Sequence, residues 1–459
     1  MRSVFRFLAV LLVLAVIGGG AAWIWAGRQP GPTVQFRQPD RFVGQASTLE
    51  LMVQAPEGRL TRLDVTIEQA GKSYPVFNID QPTQATTRQD AADRFYVMRP
   101  IGKRAIPELQ PGPARIVVHA ARPVLRGMRQ IESESTHDVQ VRLEPPQASV
   151  LSRFHHVNLG GAEFIVYRAT PEDVESGVRV GDRTYPGFPA TAVGIRSDPA
   201  MRVAFFALSY DQDVNTPISV FATDPAGNTV VAAVDHMPFS KPFSRSTIPV
   251  DTWVGRVVPP IVANTPEMQL SAAPEDAVQT FVRINSDLRR RNAETIAALA
   301  KKTAPEMMWK EAFQPLGNAA IEAKFADFRT YTYMGKEIDR QVHLGFDLAV
   351  TQQVPILAAQ RGVIVHAAYL GIYGNCVIID HGLGVQTLYG HLSSIGVKVG
   401  DKVEKAQQVG RSGTTGLAAG DHLHFTVLVN GTPVNPVEWW DPKWMQDRVF
   451  RKIMEAGGA

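Results

Sequence analysis

Residues 343–350 and 422–429 alternate apolar and polar side chains with a period of two, and a segment with that period is at home only in a β-strand with one face on a core. In His343-Leu344-Gly345-Phe346-Asp347-Leu348-Ala349-Val350 the even-numbered side is apolar, so a single strand is expected to carry His343 and Asp347 on its other face. Gly345, between them, leaves room for something bulky. In His422-Leu423-His424-Phe425-Thr426-Val427-Leu428-Val429 both histidines share a face opposite Leu423, Phe425, Val427 and Val429, and Asn430-Gly431 is expected to close a hairpin. Two imidazoles and a carboxylate held by sheet backbone suit a borderline-soft divalent ion such as zinc. Three protein ligands leave a fourth tetrahedral position open, which is the arrangement of a catalytic zinc site.

Such a site needs a proton carrier. The chain has no His-Glu-x-x-His helix and so lacks the glutamate base of helical zinc proteases. Two histidines can serve instead: His422, two residues from His424, and His391 in Leu388-Tyr389-Gly390-His391-Leu392. His366 and His381 lack paired spacing and read as structural polar residues. The patterns His343-x-Gly-x-Asp347, Tyr389-x-His391-Leu and His422-Leu-His424 resemble the three signature motifs of the LytM/lysostaphin family of zinc metalloendopeptidases, which cut the peptide part of bacterial peptidoglycan. The resemblance covers roughly residues 330–440. It implies that His343, Asp347 and His424 bind Zn2+ and that His391 and His422 are the catalytic histidines. Degenerate relatives lose one or more of these five, and this chain keeps them all. Nothing is carried over for Arg329–Gln341, where relatives vary.

Composition narrows the alternatives. A chain of 459 residues, 45% hydrophobic, can bury several cores. A net charge of +3 without a dense Lys/Arg run argues against nucleic acid as a ligand. The single cysteine, Cys376, excludes an intrachain disulfide framework and a cysteine-ligated zinc cluster, and its apolar surroundings place it in a core.

Along the chain, Arg2 and Arg6 precede an uncharged run from Phe7 to Gly27, 21 residues long, enough to span a bilayer as a helix. The arginines point the N-terminus inward, and Trp23 and Trp25 suit the far interface. An uncleaved inner-membrane anchor with the body in the periplasm is therefore expected, the rival being secretion after cleavage near Gly20-Ala21-Ala22. The expected architecture is multidomain and mainly β. An N-terminal transmembrane helix (1–28) leads to two β-sandwich, immunoglobulin-like domains (29–145 and 146–250), a linker and short helical module (251–328), a LytM-type β-barrel/sheet catalytic domain (329–442) and a C-terminal tail (443–459). The polar stretch 81–93 reads as a surface loop, 191–195 as a strand, His155-His156 as an exposed pair and 238–274 as irregular. Ala277 to Arg291 has a helical period, Asn292 can cap a second helix, and Pro305 can start a third over 306–312. The tail segment 444–454 can form a packing helix.

The reading that follows is a membrane-anchored zinc endopeptidase acting on peptidoglycan peptide, with the D-alanyl to diaminopimelate cross-link as the family's usual Gram-negative target. A regulatory protein partner is a further expectation. Two readings from other classes compete. One is a noncatalytic or occluded activator of other wall hydrolases. The other is a non-haem iron oxygenase, because two histidines and a carboxylate also make a facial triad.

Overall fold

A computed structural model describes residues 2–81, 86–91 and 93–457. The chain divides into two compact units, 1–146 with 223–230, and 147–222 with 231–459.

The first unit begins with a helix, Arg2–Gly27, long and apolar enough to cross a membrane. Its C-terminal end is tied down by Arg129, whose guanidinium donates to the Trp23 carbonyl and lies over the Trp23 ring. Behind it, two sheets share one core. The first has the strand order 33–38, 47–54, 94–101, 86–91, and the second 42–43, 129–141, 112–124, 62–69, 72–78. Alternation builds this core directly: Leu49, Leu51 and Val53 from one sheet meet Leu63, Val65, Ile67, Ile116 and Val118 from the other. The loop expected over 81–93 is corrected in part. Thr86–Ala91 is an edge strand paired with Arg94–Ile101, held by backbone bonds that a polar edge can form without apolar anchors. Residues 82–85 and 92 of that stretch lie outside the described residues.

The second unit opens with further sheets, one ordered 147–150, 161–170, 201–208, 188–189. The strand expected over 191–195 is a 3-10 turn, Ala190–Val193, ended by Gly194 at φ 88°. A strand Arg245–Pro249 then pairs in parallel with Phe328–Thr332, and a sheet ordered 320–323, 346–349, 423–429, 385–392, 375–380, 362–369, 402–403 carries the histidine motifs. Cys376 is fully buried there.

The helical segment differs from expectation in three ways. Val254–Asn264 is a helix although Pro259 and Pro260 lie inside it, because its apolar face of Val254, Val257, Val258 and Ile261 is buried and overrides the local penalty. Ala277–Arg283 and Arg289–Ala300 run on through one π-turn, Ile284–Leu288, so Asn292 is buried inside a helix instead of capping one. Residues 305–312 form neither helix nor strand. Their amides bond elsewhere (Met307 N to Ala192 O, Met308 N to His381 O), and Trp309 is buried against Phe205, Phe313 and Trp439. Phe281, Ile284 and Leu288 of the helices share a core with Tyr331 and Ile372, so these helices form part of the wall beside the histidine motifs. The tail folds into short helices, Pro442–Met445 and Arg451–Glu455, joined by a π-turn.

Candidate metal centre

The register of the sheet assembles the site. Phe346–Ala349 pairs antiparallel with Leu423–Val429 so that Asp347 lies directly opposite His424, and Gly390 faces His424 from the other side, bringing His391 to the same place. His343 arrives from a different strand. Lys336–His343 ends there, and Leu344-Gly345 separates it from Phe346–Ala349, so the single strand expected over 343–350 is broken. Only glycine fits at the break: a Cβ on Gly345 would stand 2.6 Å from both His424 Nε2 and Thr426 Oγ1. The room left by Gly345 is thus filled by a histidine of the facing strand.

His343, Asp347, His391, His422 and His424 all line one cavity of about 270 Å³. Three of their atoms converge. His343 Nε2 is 2.9 Å from Asp347 Oδ1 and 3.0 Å from His424 Nδ1, and His424 Nδ1 is 3.0 Å from the same Oδ1. The outer hydrogen bonds fix the tautomers. His343 Nδ1 sits 3.0 Å from the Lys324 carbonyl and must donate to it. Thr426 gives its own proton to the Leu344 carbonyl and accepts from His424 Nε2 at 3.0 Å. Where both rings are neutral, their inward nitrogens are lone pairs set against a carboxylate oxygen; where a ring is protonated, that nitrogen donates to Asp347. A single bound cation would satisfy all three at once. Donors about 2.0–2.1 Å from a tetrahedral zinc stand roughly 3.3 Å apart, close to the triangle seen here. Among the described residues this is the group of His, Cys, Asp or Glu whose donor atoms could hold a metal ion.

Burial alone would raise the Asp347 carboxyl, but the charge and hydrogen bond of His343 and bonds from His422 and His424 outweigh it and hold it well below the usual carboxylate range. Burial pushes His424 down to about 4. Its second oxygen, Asp347 Oδ2, accepts from Arg329 Nη2 at 3.1 Å, and Arg329 Nε is held by Asp327 at 3.2 Å. That arginine leaves one carboxylate oxygen for the cavity.

The other two histidines are oriented in the same way. His391 Nδ1 donates to the Thr415 carbonyl at 2.8 Å and His422 Nδ1 to the Gly420 carbonyl at 2.9 Å, with the ring centroids 4.8 Å apart. Each keeps its Nε2 for the cavity. Burial and the neighbouring His422 and His424 hold His391 well below the ordinary histidine range. Burial would also lower His422, but its bond to Asp347, Nε2 to Oδ1 at 3.5 Å, raises it. His391 sits at φ 62°, a conformation costing on the order of 1–3 kcal/mol outside glycine and retained where geometry is constrained.

His381 is buried between the Arg361 carbonyl and Thr387 Oγ1, and His366 bonds the Ala368 carbonyl, so both are structural, as expected. His155 is not exposed as expected. It is 2% exposed, between Ser152 Oγ and the Asp235 carbonyl. Sequence reasoning missed Arg329, Asp327 and Thr426. The available signal was an arginine within the alternating run Asp327-Phe328-Arg329-Thr330-Tyr331, where every second side chain shares a face.

Residues 341–436 match the family described as Peptidase family M23. Over 97 residues the chain is 43% identical to the DD-carboxypeptidase/endopeptidase Mpg of Neisseria meningitidis, covering 21% of this chain and 22% of that protein. Over 96 residues it is 42% identical to the peptidoglycan DD-endopeptidase ShyA of Vibrio cholerae, covering 21% of this chain and 22% of that one. The match thus spans about a fifth of these relatives' length. The catalytic domain of lysostaphin from Staphylococcus simulans aligns over 28% of this chain and 98% of that domain at 29% identity, with a TM-score of 0.25. The converging histidines all lie within the segment, residues 341–436, that matches peptidase family M23.

Proposed function

We propose that the chain is a zinc-dependent endopeptidase that hydrolyses peptide cross-links of bacterial peptidoglycan, at the bond between D-alanine and diaminopimelate. The observation that carries the reading is the triangle of His343 Nε2, Asp347 Oδ1 and His424 Nδ1, whose spacing suits a single bound cation. Relatives named as DD-endopeptidases over the same segment support the substrate. His343, Asp347 and His424 would hold Zn2+, with Arg329 keeping the carboxylate turned toward it. Bound there, the ion supplies Lewis-acid polarisation of the scissile carbonyl.

The remaining steps belong to the chain's own side chains. His391, with Nδ1–H committed to the Thr415 carbonyl, offers an Nε2 lone pair that can take a proton from the attacking water and pass it to the leaving amine. His422, also fixed through Nδ1 and favoured in its protonated form by Asp347, can donate its Nε2–H to the developing oxyanion. The apolar helix Arg2–Gly27 supports an inner-membrane anchor with the body in the periplasm, where this substrate lies. Digestion of purified sacculi by the full chain with added zinc, followed by mass analysis of the fragments, tests the reading. Monomeric peptides with a new diaminopimelate amine are expected. Intact sacculi, or fragments cut only in the glycan, would overturn it.

A further inference from the structure

The cavity that holds the five histidine-motif residues is not lined by the M23 segment alone. Arg289, from the helix Arg289–Ala300, also faces it, some fifty residues upstream of the family match. Two arginines line this cavity, and they are in different states. Arg329 is committed to Asp327 and Asp347. Arg289 has no carboxylate within salt-bridge distance among the described residues; its Nε donates to the Asn285 carbonyl at 3.0 Å and its Nη2 to Asn285 Oδ1 at 2.6 Å.

Asn285 is itself fully buried and fixed, its Nδ2 donating to Asp339 Oδ2 at 2.7 Å. Asp339 is also bonded by the Arg340 amide and Gln341, and Asn285 stands between it and the guanidinium, so the two charges make no direct pair. The π-turn Ile284–Leu288 produces the arrangement. Its extra residue lets Asn285 turn into the core while Arg289, one turn on, is stacked over it. A helix with a π-turn gives up regular bonding, and this one spends it on aiming a single cation into a cavity whose chemistry lies on other strands. An arginine so held is pre-organised, lines the cavity, and keeps N–H groups beyond the two given to Asn285 with which to meet a planar anion.

We propose that Arg289 is a specificity residue that binds a carboxylate of the peptide substrate. This rests on the endopeptidase reading above. In the proposed cross-link the leaving amine is attached to the diaminopimelate carbon that bears a free carboxylate. An anion therefore travels with the scissile bond into the cavity. The chemical class recognised is a peptide with a carboxylate next to the bond that is cut, and an uncharged bridge of the same length is discriminated against.

The test uses two cross-linked muropeptides, one with that diaminopimelate carboxylate free and one with it converted to the carboxamide. Their binding is measured on full-length, zinc-loaded protein carrying His391→Ala, which turns the probes over slowly. The free carboxylate is expected to bind roughly 10- to 100-fold tighter than the amide, the usual worth of a charge-assisted bond. Adding Arg289→Gln is expected to reduce the difference to less than about 3-fold while amide binding stays as it was, which also reports that the protein is folded. If Arg289→Gln does not fold, Arg289→Lys keeps the charge and loses the fork, and a reduced preference is expected. An undiminished preference in either variant, or no preference in the parent, overturns the proposal. Should the wild type cut both peptides equally, only the carboxylate subsite falls. Should it neither bind nor cut either one, the endopeptidase reading falls and takes the subsite with it.

Discussion

Two clusters of charged and polar side chains are buried in the second unit, and they differ in where their protons are. Around Glu163 every acceptor meets a donor. Lys452 Nζ donates to Glu163 Oε1 at 2.9 Å and to the Phe164 carbonyl at 2.8 Å, and Glu163 also accepts from the amides of His156 and Phe164. Nearby, Glu438 accepts from Asn158 at 2.6 Å and from the Ala162 amide at 2.8 Å, and His155 is bonded through both ring nitrogens. Around Asp347 the acceptors face one another. Burial is equally complete in both, with His155 and His424 each pushed down to about 4 by it. Buried histidines and shifted carboxyls therefore do not distinguish a structural cluster from a metal centre. The balance of donors and acceptors does.

The contrast has direct consequences for substitutions. His343→Ala, Asp347→Ala and His424→Ala are each expected to bring bound zinc from about one ion per chain to near none and to abolish hydrolysis, because two protein ligands hold zinc poorly. Metal analysis checks this. Each substitution also removes an outer bond, His343 to the Lys324 carbonyl, Asp347 to Arg329 or His424 to Thr426, so metal content is compared at equal folded fraction. Retained stoichiometric zinc in any of them would remove that residue from the ligand set. Next in size, His391→Ala and His422→Ala are expected to keep the metal and lose roughly 10² to 10⁴ in rate. Turnover at the wild-type rate would remove the substituted histidine from the mechanism.

The structural cluster is expected to respond the other way round. Lys452→Met leaves Glu163, which is 0% exposed, without its counter-charge, and breaking such a buried pair costs about 3–5 kcal/mol. Denaturant unfolding is expected to register that loss while the folded fraction binds zinc as before. Weakened zinc binding at unchanged stability would erase the distinction between the clusters.

The smallest effect is a pH dependence. Burial raises the Glu438 carboxyl to about 7, above its unfolded value, so its contribution to stability is full in acid and is lost as pH rises through about 7. Between pH 6 and pH 8 this amounts to about 1 kcal/mol. Glu438→Gln is expected to flatten that part of the stability profile, and an unchanged slope would show that another group sets it.

How far the sequence could be read follows the same division. The closeness of Asp347 and His424 was legible because each lies in a period-two run and a strand fixes which side chains share a face, whereas His343 reaches them from a separate strand. The hairpin at Asn430-Gly431 was legible too, and both residues take positive φ, 49° and 79°. The break after His343 was not, because Leu344 keeps the alternation going across it. Nor was the Glu163 cluster, whose members are nearly three hundred residues apart and carry no motif. Residues 254–264 were masked by Pro259-Pro260, whose local cost is overridden by a buried face. Residues 305–312 looked helical from Pro305, whereas Trp309 binds them to an aromatic core that no local pattern announces. Arg289 belongs with these, since an arginine in Arg289-Arg290-Arg291 resembles an ordinary solvated helix end.

The most direct measurement is a zinc titration of the metal-free full chain against purified sacculi, counting the amine termini released. Release is expected to rise in proportion to zinc up to one ion per chain and then level off, with no release from Asp347→Ala at any point. Release that is independent of zinc, or that is absent at every zinc concentration, would contradict the assignment of His343, Asp347 and His424 to one catalytic ion.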